Sequence, residues 1–292
     1  MMNIRDALCA GADQLSKCDA DISVPHLEAQ ILLSAVVSKP KEYLIAYGEE
    51  TLSQAQCEGY FESVCLRSQG MPMAYILGYK EFMNLSFFVD SSVLIPRDDT
   101  EILVRCMLEK AAFFSGEISV LNLGTGSGSI EVALAKNNPP MRIIGVDNAP
   151  AALAVAQKNI SFHDVSHRIT LHESDLFSCM APDAAFDMIC SNPPYISHEE
   201  MKQLPVDVAR YEPQSALYGG IDGLDFYRRI AAEAQKYLRS EGMLFLEIGS
   251  SQSSAVMQLL NTHGWRNTET LCDLQGHIRV LVAQKPKETQ HG

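Results

Sequence analysis

Asn192-Pro193-Pro194-Tyr195 is the run of residues whose types most directly imply chemistry. Two consecutive prolines fix φ twice and remove two N–H donors, leaving a stiff backbone whose carbonyls point outward. The Asn192 side-chain oxygen and the Pro193 carbonyl are then two neighbouring acceptors, the pair needed to grip an NH2 group. Such a grip suits a planar amide, whose nitrogen is a poor nucleophile because its lone pair is delocalised into the carbonyl. Two acceptors orient that nitrogen and stabilise positive charge as it develops there. Tyr195 adds a flat face for a planar group to pack against. No general base has to act first, because the proton can leave after the nitrogen has attacked carbon. Placing nitrogen and carbon about 3 Å apart in line is an orientation effect worth up to roughly 7–11 kcal/mol. The plainer reading, a proline-rich turn with a surface tyrosine, leaves a costly turn after a buried strand without a purpose.

A second set lies upstream. Leu121-Asn122-Leu123-Gly124-Thr125-Gly126-Ser127-Gly128-Ser129-Ile130 reads as a strand end, a glycine turn and a helix start. Glycines there allow a sharp turn and let a ligand approach without meeting a Cβ. The spacing is GxGxG rather than the GxGxxG of a dinucleotide fingerprint, because position 129 is serine. Asp147 ends the next strand, where a carboxylate can accept from both ribose hydroxyls of an adenosine. Taken alone, Asp147 reads equally well as a strand-end residue or a helix cap. Loop and acid together point to a nucleoside cofactor and leave S-adenosylmethionine and NAD both open. Asp175, in Ser174-Asp175-Leu176-Phe177, falls where an adenine contact is expected, with Leu176 or Phe177 to cover the base.

These residues need a frame. From Val120 onward strands and helices alternate, which predicts a parallel, doubly wound α/β sheet. The predicted strands are 119–123, 142–146, 168–172, 186–191 and 243–248, with helices over 130–137, 151–162 and 226–238. Two last strands, 267–272 and 278–283, lie too close for a helical crossover and are expected to pair antiparallel. Between Tyr79 and Pro96 the apolar residues alternate through Phe82, Leu85, Phe87, Val89, Val93 and Ile95. That period of two predicts a β-hairpin bending at Asp90-Ser91-Ser92. Asp98 then reads as the N-cap of a helix, with Glu101 completing a capping box. Residues 1–78 read as a small helical bundle on Ile4, Leu8 and Leu15, on Leu27, Ile31, Leu32 and Val36, and on Tyr60, Val64 and Leu66. Pro25 opens its second helix, Lys39-Pro40 closes it, and His26 is a half-exposed helix residue. The expected organisation is therefore 1–78 helical, 79–96 hairpin linker, 97–285 catalytic, and 286–292 a disordered tail.

Composition narrows the class. A chain of 292 residues, 47% hydrophobic and 20% charged, fits a globular protein of two domains. Its apolar runs, such as 31–37, are far too short to span a bilayer, and its start lacks a signal-peptide core. A cytoplasmic location is the resulting expectation. The 8 cysteines form no CxxC pair, so neither a zinc site nor a disulfide framework is expected. A net charge of −13 disfavours extended contact with duplex nucleic acid and suits a protein partner with a basic face. A monomer is the default expectation.

With these residues in hand, the chain resembles the PrmC/HemK family of peptide-chain release factor glutamine methyltransferases. The resemblance runs through Gly70-Met71-Pro72, Tyr75-Ile76-Leu77-Gly78, Glu81-Phe82, Leu94-Ile95-Pro96-Arg97 and Asp99-Thr100-Glu101. It continues through Gly124–Gly128, Asn192–Ile196, Tyr211-Glu212-Pro213, 219–224, Glu247-Ile248-Gly249, Asp273 and Arg279. It implies a Rossmann-like class I methyltransferase domain, with a mostly parallel seven-stranded sheet, behind a helical domain that recognises substrate. It also implies S-adenosyl-L-methionine, leaving as S-adenosyl-L-homocysteine, at Gly124, Thr125, Gly126, Ser127, Gly128, Asp147, Asp175, Leu176 and Asn192. The substrates it implies are class-1 release factors, methylated on the glutamine of their GGQ motif and held by Asn192, Pro193, Pro194 and Tyr195. Three positions depart from common members: Asn122 stands for aspartate, Asp98 for proline and Leu176 for tryptophan. Competing readings are a ribosomal-protein glutamine methyltransferase, a DNA adenine methyltransferase, and a silent module that keeps the cofactor fold.

Overall fold

The computed structural model describes residues 2–18, 20, 22–137 and 141–287. Residues 288–292 of the expected tail lie outside the described residues. The chain divides into two compact units, one holding the chain up to Tyr79 with Pro205–Tyr211, the other holding Lys80–Leu204 with the chain from Glu212 onward.

The first unit is helical: α1 Ile4–Ser16, α2 Pro25–Val37, α3 Lys41–Ala46, α4 Gln54–Ser68 and α5 Met73–Leu77. Its core gathers Ile4, Leu15, Leu32, Leu33, Leu44, Tyr60 and Val64. Helices α1 and α4 meet at a glycine because a Cβ on Gly11 would fall 1.9 Å from the Tyr60 hydroxyl oxygen. Helix α2 starts on Pro25, as expected, and ends on Ser38 in the left-handed region. It buries Ala29, Leu32 and Leu33, which leaves Leu27 exposed rather than in the core. The apolar pattern gives no hint of a largely buried ion pair, Arg67 with Glu28 at 2.6 Å. Truncating one partner of such a pair costs about 3–5 kcal/mol. The segment Pro205–Tyr211 adds a hydrogen bond from the Tyr211 hydroxyl to the Gln69 carbonyl, 3.0 Å.

The second unit contains β1 Tyr79–Phe82 from its second residue on, β2 Leu85–Phe88, α6 Thr100–Lys110, β3 Ile118–Leu123, α7 Ser129–Asn137, β4 Met141–Asp147, α8 Pro150–Phe162, β5 Ile169–Glu173 and β6 Phe186–Ser191. After α9 His198–Met201 and α10 Val206–Tyr211, the latter part of the first unit, come α11 Asp225–Glu233, β7 Leu238–Glu247, α12 Ser253–Thr262, β8 Arg266–Cys272 and β9 Ile278–Gln284. The seven-stranded sheet has the order β5-β4-β3-β6-β7-β9-β8. Strands β3 to β7 run parallel, and β9 lies antiparallel between β7 and β8. Both faces are covered. Apolar residues from α6, α7 and the hairpin pack on one side, and those from α11 and α12 on the other. Every residue of β6 is buried, the continuous run typical of a central parallel strand.

Strand order explains where a site can form. From β3 the chain steps outward through β4 and β5, then returns to lay β6 on the other side of β3. The carboxyl ends of β3 and β6 therefore flank the switch point, the place where open α/β sheets bind ligands. Leu123 and Ser191 are register partners there, so the glycine loop and the tetrapeptide leave the sheet side by side.

Three local expectations are corrected. The hairpin turns at Met83-Asn84, both at positive φ (51° and 58°), rather than at 90–92. Two left-handed residues in succession match the twist of a two-residue hairpin, and no glycine announces them. Asp90 instead accepts from the Ser92 backbone N–H at 2.9 Å, closing a local turn outside any strand. Asp98 does not cap α6: it pairs with Lys80 at 3.0 Å, and the cap position is Asp99, which makes no side-chain cap bond. Glu101 accepts from the Met83 N–H at 2.7 Å, tying the hairpin turn to the helix. The helix predicted over 226–238 stops at Glu233, gives way to a 3-10 turn over Ala234–Tyr237, and leaves Leu238 to start β7.

Candidate active site

The cleft at the switch point encloses about 990 Å³, open solvent included. Gly124, Thr125, Gly126, Ser127, Asp147, Asp175, Leu176, Asn192, Pro193 and Pro194 all line it. Gly128, Phe177 and Tyr195 do not line it. The expected site residues therefore fall in one place except for three, each set back for a visible reason.

The loop takes its shape from backbone bonds. Gly124 and Thr125 N–H groups both donate to the Val146 carbonyl, at 2.8 and 3.0 Å. Gly126 donates to Asp147 Oδ2 at 2.8 Å, and Asp147 Oδ1 accepts from Ala149 N–H at 3.0 Å. Glycines 124, 126 and 128 sit at φ of 83°, 55° and 78°, where a side chain is strained. Gly128 has a further reason, since a Cβ there would come 3.2 Å from the Ala156 backbone on α8. Its role is to let α7 start close against α8, which is why it stands behind the cleft.

Beneath the loop, Asn122 donates to Glu131 Oε1 at 2.8 Å, both residues being fully buried. Burial pushes the Glu131 carboxyl up to about 7 against the restraining bond from Asn122. Neither Glu131 Oε2 nor the Thr125 hydroxyl finds a partner among the described residues. Sequence reasoning missed Glu131 because it sits within an apolar helix stretch with no spacing of its own.

Asp175 pairs with Arg229 at 2.9 Å on the rim, both side chains about half exposed. Leu176 has a φ of 50°, a left-handed conformation that costs a branched side chain on the order of 1–3 kcal/mol. Ser174 holds it there, donating to the Leu176 carbonyl at 2.9 Å and accepting from Cys179 N–H at 3.0 Å. The turn directs Leu176 to the cleft and Phe177 inward, where Phe177 stacks on Tyr237 with centroids 4.9 Å apart.

The tetrapeptide is held by side chains. Ser191 donates to the Leu123 carbonyl at 2.7 Å, which joins β6 to β3 at the mouth of the loop. Asn192 Nδ2 donates to Thr100 Oγ1 at 3.1 Å, committing the nitrogen end of the amide to the first residue of α6. Thr100 is 4% exposed, and Glu247, at the end of β7, is 2% exposed. Burial raises Glu247 to about 7. Tyr195 turns to a second depression lined also by Gly249, Gln252 and Arg279. Its carbonyl accepts from Gln252 Nε2 at 2.9 Å, and burial raises its hydroxyl to about 12, so the phenol stays protonated. Arg97 and Glu212, joined at 2.5 Å, brace the segment before α6, and Glu212 also accepts from Ile95 N–H at 3.3 Å. Thr100 and Glu247 were visible only as parts of matching motifs, without a chemical role.

Among the described residues, no group of three or more His, Cys, Asp or Glu side chains is arranged to hold a metal. No helix of the described residues is long and apolar enough to cross a membrane.

Known proteins give this arrangement a family. The PrmC N-terminal domain matches residues 6–78, and the methyltransferase small domain matches residues 97–209. A release factor glutamine methyltransferase of Geobacter sulfurreducens is 40% identical over 88% of this chain and 88% of its own. A bifunctional methyltransferase of Rickettsia conorii is 35% identical over 96% of this chain, which spans 57% of that relative's length. Among solved structures, the T. thermophilus 16S rRNA N2 G1207 methyltransferase, in complex with AdoMet and guanosine, shares the fold with a TM-score of 0.50. It is 19% identical and covers 71% of this chain and 49% of its own. A seven-stranded sheet with a glycine loop beside Asn192-Pro193-Pro194-Tyr195, behind a PrmC N-terminal domain, thus belongs to the PrmC family of release factor glutamine methyltransferases.

Proposed function

We propose that this chain transfers a methyl group from S-adenosyl-L-methionine to the side-chain amide nitrogen of the glutamine in the GGQ motif of class-1 release factors. The observation that carries the reading is the Asn192 amide, fixed through Nδ2 on Thr100 beside a glycine loop at the switch point. The residues fit the cofactor. Asp147 spends one hydrogen bond on each oxygen and keeps lone pairs for two ribose hydroxyls. Gly124 and Gly126 offer backbone without Cβ atoms, Leu176 an apolar cover for a base, and Asp175 a carboxylate at the rim. When bound, the sulfonium supplies an activated methyl group and leaves as S-adenosyl-L-homocysteine.

The remaining work falls to this chain's own residues. Asn192 Oδ1 and the Pro193 carbonyl accept from the two N–H bonds of the substrate amide and turn its lone pair toward the cleft. Pro194 keeps that backbone stiff. Tyr195, protonated and packed beside Gly249, supports the tetrapeptide from behind and gives the planar group a face to meet. We assign 1–78 to substrate recognition, 79–96 to the linker and 97–285 to catalysis. A cytoplasmic monomer acting on a partner with a basic face agrees with the net charge of −13. The test is mass spectrometry of a purified class-1 release factor after incubation with the protein and S-adenosyl-L-methionine. One methyl group on the GGQ glutamine is expected. A ribosomal protein modified in its place moves the partner, and no transfer to any glutamine removes the reading.

A further inference from the structure

The side chain of Gln252, the N-cap residue of α12, is buried and meets backbone from three loops. Its Oε1 accepts from the Gly249 N–H at 3.1 Å. Its Nε2 donates both to the Tyr195 carbonyl, at 2.9 Å, and to the Gly223 carbonyl, at 3.1 Å. A primary amide has one acceptor oxygen and two N–H bonds, so all three contacts have matching sense. A flipped amide would set its oxygen against two carbonyls and its NH2 against an N–H, so the partners themselves fix its orientation.

Three glycines make room for this junction. A Cβ on Gly223 would fall 2.3 Å from the Tyr195 carbonyl oxygen and 2.6 Å from Gln252 Nε2. One on Gly249 would fall 2.9 Å from Gln252 Oε1 and 3.3 Å from Tyr195 Cδ2, and one on Gly219 2.6 Å from the Pro194 carbonyl oxygen. Residues 217–223 are also laced to the chain just after the tetrapeptide. Ile196 N–H donates to the Leu217 carbonyl, and Gly219 N–H donates to the Ile196 carbonyl, both at 2.9 Å. The tetrapeptide is thus fastened at both ends, at Asn192 by Thr100 and at Tyr195 by Gln252. The Pro193 carbonyl, one of the two acceptors for the substrate amide, lies in the chain between these fastenings.

We propose that Gln252 is a positioning residue for the transfer: by tying the Tyr195 carbonyl to the 217–223 loop, it fixes the far end of the tetrapeptide and with it the Pro193 carbonyl and the Tyr195 ring. The inference rests on the glutamine methyltransferase reading above. Gln252 stands outside the cleft lined by Gly124 and Asp147, so its bonds govern the placement of the substrate amide and not the binding of the cofactor. A misplacement of about 1 Å in such an acceptor lowers the rate on the order of a hundredfold.

The test is methyl transfer by the full chain to a purified class-1 release factor, with kcat and KM measured at saturating S-adenosyl-L-methionine. Cofactor Kd by titration and the denaturant midpoint are read on the same preparations. Gln252→Met keeps the length of the side chain and removes all three bonds, whereas Gln252→Glu keeps the acceptor for Gly249 and removes both donated bonds. Each should lower kcat about a hundredfold with KM and cofactor Kd little changed, as for a misplaced reacting group. Gly223→Ala drives a Cβ against the Tyr195 carbonyl and Gln252 Nε2, and should show the same split. A glutamine that only stabilises the fold gives a lower midpoint with parental kcat per folded molecule, and that result overturns the positioning role alone. A cofactor Kd weakened in step with kcat overturns it as well. If Gln252→Met does not fold, Gln252→Glu and Gly223→Ala decide. A wild type that transfers nothing to glutamine overturns the underlying reading and the positioning role with it.

Discussion

The glycine loop and the tetrapeptide leave adjacent strands and line one cleft, yet they are held by opposite means. Around Gly124–Gly128 the shape comes from missing atoms, with three left-handed glycines and backbone bonds to Val146 and Asp147. Around Asn192–Tyr195 it comes from added bonds, Asn192 to Thr100 and Gln252 to the Tyr195 carbonyl. Each has a fully buried glutamate behind it, Glu131 for the loop and Glu247 for the tetrapeptide, both raised to about 7. The difference suits the two tasks. A cradle for a bulky cofactor needs room and fixed N–H groups, whereas a grip on one NH2 group needs acceptors aimed along set directions.

This contrast can be broken by adding atoms on one side and removing them on the other. Gly128→Val forces a strained φ and a clash with the Ala156 backbone, so we expect a loss of ~3 kcal/mol in denaturant unfolding, with cofactor titration abolished. Pro193→Ala should cost no more than about 1 kcal/mol, since it mainly frees the unfolded chain. Equal losses at the two positions would end the distinction. Asp147→Ala should raise the cofactor Kd roughly tenfold to a hundredfold, the value of bonds to a charged acceptor, while kcat at saturating cofactor holds. An unchanged titration removes Asp147 from the cofactor site.

The smallest effect concerns the buried acid beneath the loop. Glu131 holds its proton in the folded chain up to about 7, against an ordinary value of 4.5. Across that window the unfolded chain has released a proton that the native chain keeps, so stability falls as pH rises. Glu131→Gln removes this dependence. Its gain over wild type should grow from pH 4.5 to about 7 and then level off. Unfolding free energies differing by the same amount at every pH would contradict the assignment.

The parts legible in the sequence are those written in local pattern. The mostly apolar run of β6, broken only by Asp187 before its final Ser191, located that strand residue for residue, and glycine spacing together with Asp147 located the loop at the end of β3. The close spacing of β8 and β9 announced their antiparallel pairing. Illegible parts depend on contacts between distant segments. Met83-Asn84 adopts two left-handed residues without a glycine, so the alternation pattern carried the expected bend to 90–92. Asp98 and Glu101 have the spacing of a capping box but are drawn to Lys80 and Met83 by the hairpin beside them. Glu131 and Glu247 sit in apolar runs where nothing in the spacing sets them apart. Pro205–Tyr211 joins the first unit from far along the chain, which no window of residues could reveal.

The division of labour between the two strand ends is tested most directly by Asn192→Ala, with cofactor affinity and single-turnover methyl transfer measured on the same preparation. The account predicts a cofactor Kd within a few fold of the parent and transfer at saturating cofactor reduced by about 10²–10³, the cost of losing one preorganised partner of the developing charge. Transfer at the parental rate, or a defect that saturating cofactor repairs, would contradict it.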